Sequence, residues 1–381
     1  MTTVTEAGEP TALPAGPLDE HWRAAAAAQQ ERVLPRGSVL VSAPAPFGVG
    51  GVGRHLGEIW GALERSGQEA ACICESEHPS ALPMPPRSAQ ARLRSVVMTP
   101  ISRFSPAWRK WSVSVDFDSR AARAIRPAEH LIAFNGTAIA QFTAARRDGF
   151  RSLSLVAANS HFEKVVRQHA RAHSQYPIEG SWPARLLARN LAEYRQADRI
   201  YFATDYIRDS FLEAGVKESS LSHFPLTPDR RFVPAAARSR SSKFAVVYVG
   251  SLSVHKGVPL LIDAVRALPY SDLQLLLVGG WGTRGMRRFI ERSCLEDPRI
   301  SVTRGDPLPH LQAARLCVHA AYEDGFAYAP AEALACGVPL IVSEDTGMKE
   351  LIDGARGRIV PTGDLTALTE AIDDAYRAGG A

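Results

Sequence analysis

From Ser38 onward, short apolar runs alternate with amphipathic stretches, and the alternation happens twice. Ser38-Val39-Leu40-Val41-Ser42 reads as a buried strand. Beyond a Pro/Gly loop, Val52, Leu56, Ile59, Trp60 and Leu63 share one face at helical spacing, and Gly67 is placed to end that helix. Glu69–Cys74 is the next strand. Such a strand–helix–strand unit predicts parallel pairing through a right-handed crossover. Strands His130–Phe134, Ser152–Ala157, Arg199–Ala203 and Leu221–Phe224 follow, with helices predicted over Thr137–Arg147, His161–Ala172, Pro183–Ala197 and Asp205–Ala214.

A second series starts at Lys243–Val249 and continues through strands Leu273–Val278, Arg299–Thr303, Leu316–His319, Leu340–Ser343 and Arg358–Val360 to a helix over Leu365–Tyr376. Between the series, Pro225 to Ser242 holds three prolines and keeps no period, which is the texture of a boundary. The pattern predicts an α/β protein: two doubly wound, Rossmann-like domains over 36–228 and 243–381, a linker over 229–242, and a cleft between the domains. Residues 1–35 read as a tail, disordered at first and then Ala-rich (Ala24 to Ala28), whose short helix need not belong to a core.

Composition adds exclusions. At roughly 150 residues per domain, a chain of 381 residues fits two domains and a tail. Its net charge of +4, from 44 basic and 40 acidic side chains, argues against nucleic acid as a partner, which calls for a concentrated basic face. No apolar run approaches the roughly 18 residues of a membrane span. The first basic side chain is Arg23, so the charged opening of a secretory signal is missing. Five cysteines, with Cys72 and Cys74 closer than zinc pairs usually stand, favour a cytoplasmic protein without structural metal.

Ligands of doubly wound sheets sit off the carboxyl ends of the strands, and three such loops stand out. Gly48-Val49-Gly50-Gly51-Val52-Gly53 matches the dinucleotide fingerprint by letter, but Ala43–Phe47 separates it from the strand. What remains is a glycine loop at a helix N-terminus, open to an anion or a hydroxyl, or simply a glycine turn. Arg54 in the first turn repels the helix dipole and calls for a counter-anion. Val246 to Gly257 is a strand, a loop and a Lys256-Gly257 pair opening a helix. Lys256 is placed to reach a phosphate there, or to be solvated as most lysines are. Tyr322 to Ser343 carries Asp324, then Glu332 in the first turn of a helix expected to open at Pro330. A carboxylate so placed accepts from two adjacent ribose hydroxyls.

From Ser38 to Leu368 the chain resembles the retaining, nucleotide-sugar-dependent glycosyltransferases of family 4, the glycogen-synthase and mannosyltransferase-like proteins of GT-B fold. Four stretches carry the likeness: Gly50 to His55, Ala192 to Ile200, Val249 to Gly257, and Asp324 to Pro339 followed by Gly347 and Glu350. The resemblance implies a nucleoside-diphosphate-sugar donor, no required metal or other cofactor, and a carbohydrate, lipid-linked or small-molecule acceptor read by the first domain. It implies that Lys256 binds the diphosphate in a donor loop that Gly250 and Ser251 open, and that Glu332 holds the ribose. Asp324 would contact the transferred sugar, aided by N–H groups near Gly325, Phe326 and Ala327, while Gly50 and Gly51 face the diphosphate across the cleft. His161 would match a histidine near the reacting centre, though a helix-start surface histidine is the plainer reading.

The chain departs from the pattern in three places. Asp324 replaces a glutamate, with Glu323 beside it as a competitor. Ser251 stands where a basic residue is expected, so His255, Arg54 or Arg284 would have to replace it. The sequence ends at Ala381, before the helices that in relatives cross back to the first domain, which leaves the coupling of the domains open. Separately, 78–115 holds Arg87, Arg92, Arg94, Arg103, Arg109 and Lys110 with Phe104, Trp108 and Trp111 and no acid. It reads as a solvated loop, or as a peripheral contact with the inner membrane face.

The expected reaction is sugar transfer to an acceptor hydroxyl with retained configuration. Two alternatives stay open: a non-catalytic or epimerase-type relative of the same fold, and a nicotinamide-dependent oxidoreductase using Gly48–Gly53.

Overall fold

The structure, a computed structural model, describes residues 18, 20–75, 90–93, 105–236 and 243–379. The first half of the tail (1–17), residues 78–89 and 94–104 of the basic stretch, and 237–242 of the linker lie outside the described residues.

Two parallel sheets organise the chain. The first lobe contains β1 (Val39–Ser42), β2 (Ala70–Glu75), β3 (Gln90–Leu93), β4 (His130–Phe134), β5 (Ser152–Val156), β6 (Arg199–Phe202) and β7 (Leu221–His223), in the order β3-β2-β1-β4-β5-β6-β7. Around them lie α1 (Glu20–Val33), α2 (Gly50–Arg65), α3 (Pro106–Arg123), α4 (Ile139–Arg147), α5 (Phe162–Gln175), α6 (Leu187–Gln196) and α7 (Asp205–Glu213). Strand β3, inside the stretch read as a loop, pairs with β2 at Cys72–Gln90.

The second lobe has β8 (Phe244–Val249), β9 (Leu273–Val278), β10 (Ile300–Thr303), β11 (Leu316–His319), β12 (Leu340–Ser343) and β13 (Gly357–Val360), ordered β10-β9-β8-β11-β12-β13. Its helices are α8 (Val258–Ala267), α9 (Arg284–Glu296), α10 (Leu308–Ala313), α11 (Tyr328–Ala335) and α12 (Leu365–Gly379). In each sheet the strand order reverses between two central strands, β1 and β4 in one and β8 and β11 in the other. The loops after those strands part to either side, which opens a crevice there. Both strand series follow the apolar runs closely, because strands covered on both faces must be apolar throughout.

The Ala-rich piece is not a tail. Trp22, Ala26 and Gln30, one every fourth residue, form a buried stripe along α1, and Leu18 before the helix and Leu34 after it are buried as well. Trp22 joins a cluster with Phe232 and Leu311 on the second-lobe side, whereas Leu34 belongs to the first lobe's core. The expectation that this segment need not enter a core is therefore corrected. An alanine run hides such a stripe because the same residue occupies its buried and exposed positions.

A second bridge is α5. Its Ala172 is buried in the second lobe's core cluster. Gln168 donates to Asp345 at 2.7 Å, Arg171 to the Thr362 carbonyl, and Gln175 to the Gly363 carbonyl at 3.1 Å. Just beyond the helix, Glu179 accepts from Val254 N–H (2.8 Å) and from Thr283 Oγ1 (2.7 Å). The two lobes are thus coupled through α1 and α5, while α12 packs on α8 within its own lobe.

Candidate functional site

The loops after β8 and β11, the two strands at the switch point, run through Gly250–Gly257 and Ala320–Ala327. They are tied by Tyr322 N–H donating to the His255 carbonyl at 2.8 Å. Gly257 caps α8 with φ +72°, and a Cβ there would stand 1.9 Å from the Ala320 carbonyl oxygen. Only glycine lets the first loop turn this close to the second.

That turn brings Lys256 to Asp324: Nζ lies 2.8 Å from Oδ2 and 3.3 Å from the Glu323 carbonyl. His319, at the end of β11, places Nε2 at 3.0 Å from the same Oδ2. Burial would raise the Asp324 carboxyl, but Lys256 and His319 together outweigh it and hold it well below the usual carboxylate range. At neutral pH Asp324 is ionised and Lys256 stands partly buried beside it.

The two adjacent acids point to different places. Glu323 reaches into the first lobe and accepts from Ser160 N–H (3.0 Å), Ser160 Oγ (3.0 Å) and Asn159 Nδ2 (3.1 Å). Burial raises its carboxyl, against the nearby Lys256 charge. Glu323 is an interlobe clasp, and Asp324 is the acid of the crevice.

Helix α11 begins at Tyr328, so Pro330 is its third residue and Glu332 lies in the second turn. The expectation of a first-turn Glu332 is corrected: Ala327, extended in backbone, is the cap. Glu332 is 2% exposed and pairs with Arg54 of the first lobe. Burial raises its carboxyl and Arg54 opposes that shift. The counter-anion that Arg54 called for is therefore Glu332. The Arg54 guanidinium lies 3.9 Å from the centroid of the Tyr328 ring, and Tyr328 OH donates to Glu58 of α2 at 2.8 Å.

Sequence reasoning missed Glu58. Its carboxylate also accepts from Gln30 (3.0 Å) and from Thr227 N–H (2.9 Å) and Oγ1 (3.0 Å). One side chain thus joins α1, α2, the interlobe segment and α11. Burial lifts its carboxyl to about 7 against those four donors. The available signal was an acid among the apolar positions Leu56, Ile59 and Trp60.

The remaining predicted positions divide. Gly50 and Gly51 are exposed in the first turn of α2, and a methyl group on either would meet no atom within 4 Å. Because α2 begins at Gly50, these glycines lie in the helix and not in a turn directly after a strand, which departs from the dinucleotide arrangement. Gly250 (φ +146°) ends β8, and the Ser251 carbonyl accepts from Tyr248 OH at 2.8 Å. The N–H groups of Gly325, Phe326 and Ala327 donate to no backbone carbonyl among the described residues, so the start of α11 presents free donors. Gly325 also presses on the first lobe, where an added Cβ would sit 2.6 Å from the Ala158 carbonyl oxygen.

His161 stands apart. It caps α5 with its ring 5.0 Å from Tyr194 and 5.2 Å from Phe211, and burial lowers its pKa. It is a packed ring, buried and not on the surface, without a bond to Lys256, Asp324 or Glu332. His255 is likewise committed: its ring stacks on His169 at 4.2 Å. Arg284 is exposed at the start of α9.

Among the described residues, no group of three or more His, Cys, Asp or Glu is arranged to hold a metal ion, and no disulfide joins the cysteines. No described helix is long and apolar enough to cross a membrane.

This is the architecture of GT-B glycosyltransferases, two facing Rossmann-like domains with a crevice between them. Residues 243–378, which make up the second lobe, match the glycosyl transferases group 1 family. Among curated proteins, the chain is 29% identical over 260 residues to a GDP-mannose-dependent alpha-(1-6)-phosphatidylinositol monomannoside mannosyltransferase of Mycolicibacterium smegmatis. That match covers 60% of this chain and 62% of the relative, less than two thirds of its length. In fold, the chain is similar to the sucrose-phosphate synthase of Thermosynechococcus elongatus, with a TM-score of 0.70 and 20% identity over 91% of this chain and 90% of that one. It is also similar to Anabaena HepE, solved with UDP-glucose, with a TM-score of 0.65 and 16% identity over 90% of each.

Proposed function

We propose that the protein transfers a sugar from a nucleoside-diphosphate sugar to an acceptor hydroxyl, with retention of configuration. The observation that carries this reading is the Lys256–Asp324 pair at the β8/β11 switch point, with Glu332 on the helix that follows. The anomeric carbon–oxygen bond to phosphate breaks while the acceptor oxygen bonds to that carbon. Negative charge then grows on the departing diphosphate, and the free N–H groups at the start of α11 and the Lys256 ammonium face it. Fixed charges aimed at developing charge are usually the largest catalytic term. Asp324 binds hydroxyls of the transferred sugar and Glu332 binds the ribose. Attack on the same face fits best, with the leaving phosphate oxygen taking the acceptor proton, because Asp324 is engaged by His319 and by the sugar's hydroxyls. The counter-charge comes from the protein, so this reading requires no metal.

The acceptor lies against the first lobe. Trp108 is 37% exposed in the first turn of α3, and Arg109 and Lys110, which follow it, are exposed as well. This favours an acceptor presented at an anionic lipid surface. Incubation with UDP-, GDP- and ADP-sugars, scored for nucleotide release with and without cell-extract acceptors, tests the reaction. Acceptor-dependent release from one donor supports it, and no release from any donor overturns it. Release that needs no acceptor indicates the epimerase-type alternative.

A further inference from the structure

We infer that Arg54 is a second diphosphate-binding cation, paired with Glu332 in the structure and handed to the donor's phosphates when ribose takes that carboxylate. The inference rests on the donor-site reading above.

Two ion pairs occupy the crevice. Lys256 is held by Asp324 at 2.8 Å, and Arg54 by Glu332. In the proposed function both acids are hydroxyl-gripping groups, one for the transferred sugar and one for the ribose. Each cation is therefore parked on an acid that the donor needs. A carboxylate that accepts two vicinal hydroxyls uses the same oxygens that an arginine fork engages. Donor binding then exchanges partners: hydroxyls go to the acids and phosphates to the cations.

Three observations single out Arg54. It is the fifth residue of α2, just past a first turn that carries no acidic residue, so the positive end of its own helix gives a cation no support. Its ion pair and its ring contact both come from the opposite lobe. Its guanidinium rests on Tyr328, which lies between Asp324 and Glu332 in sequence, so the ring offers a flat surface over which the fork can swing. Beside it, Gly50 and Gly51 leave open space. The third observation is that the other candidates for the charge missing at Ser251 are turned elsewhere, one to a neighbouring ring and one to solvent. His255 is stacked against His169, and Arg284 sits exposed at the start of α9.

The test is the affinity gained by adding a diphosphate to the nucleoside. Kd values are measured at pH 8 for UDP, GDP and ADP by calorimetry. The matching nucleosides, uridine, guanosine and adenosine, are measured by ligand-observed NMR competition. For the base that the wild type binds, Arg54→Gln is expected to shrink the ratio of nucleoside Kd to diphosphate Kd at least fivefold, with the nucleoside bound as well or better. Arg54→Lys keeps a cation without the fork and is expected to recover part of the ratio. Both variants are checked for an unchanged fold by circular dichroism and Tm. A ratio that changes less than fivefold overturns the inference, including the case where both ligands weaken together, as a merely structural arginine would give. If the wild type binds none of the three diphosphates, the donor-site reading itself falls. If it binds one and Arg54→Gln leaves the ratio alone, only the role of Arg54 falls.

Discussion

Lys256 Nζ and Asp324 Oδ2 stand 2.8 Å apart on neighbouring loops of one sheet, with His319 on the same carboxylate oxygen at 3.0 Å. The cation is thus fixed at the strand ends by groups that do not depend on the other lobe. Lys256→Ala is expected to lower kcat/KM by about 10²-fold or more. Initial rates of nucleotide release over a range of donor concentrations check it, and near-wild-type kinetics would count against the transferase assignment.

The adjacent acids should separate in mutagenesis. Glu323→Gln puts an amide against the Ser160 and Asn159 donors and is expected to cost roughly 1–3 kcal/mol of stability. Asp324→Asn is expected to reduce turnover more than stability. Urea unfolding and steady-state kinetics on the two variants decide it. A reversed pattern would mean that Glu323 is the sugar-binding acid.

Glu58 gives a pH prediction. Burial raises its folded-state carboxyl from about 4.5 to about 7, so between those values the folded protein binds a proton that the unfolded chain has released. The stability tied to that proton is fully present below about 4.5 and is lost as pH rises through about 7. The wild type is therefore expected to lose stability relative to Glu58→Gln between pH 5 and pH 8. Parallel Tm-against-pH curves would show that Glu58 keeps an ordinary pKa.

Gly325→Ala drives a Cβ to 2.6 Å from the Ala158 carbonyl oxygen and 2.8 Å from Ile207 Cδ1. Backbone cannot yield there as a flexible side chain would, so the lobes must part. Small-angle scattering is expected to show a larger radius of gyration, together with a raised donor KM. An unchanged radius would mean that the loop itself absorbs the methyl group.

Trp22 is 3% exposed on α1. Trp22→Ala is expected to cost about 3–5 kcal/mol, as truncation of a buried tryptophan does. Chemical unfolding measures this, and a loss near zero would return the segment to the status of a tail.

The strand series and the position of the crevice could be read from the sequence because buried parallel strands are continuous apolar runs and their loops carry the glycines. Lys256, Asp324 and Glu332 were singled out by the resemblance to a known family, since spacing alone favours a solvated lysine, a loop acid and a helix-start acid. What stayed hidden depends on pairing across distance. Nothing local announces that Arg54 meets Glu332, that Glu58 joins four segments, or that Glu323 turns away from its neighbour. Pro330 misled because proline is tolerated anywhere in the first helical turn, and the chain already turns helical at Tyr328. For His161, a helix-start position could not show that Tyr194 and Phe211 enclose the ring.

Helix α5 belongs to the first lobe by sequence, yet its Ala172 is a core residue of the second. The boundary in space is therefore not the one that the proline-rich segment marks. Severing the gene there would leave one fragment with a bare apolar patch and the other with a gap in its interior. Swapping a lobe with one from a relative would succeed only if the face of α5 were exchanged along with it.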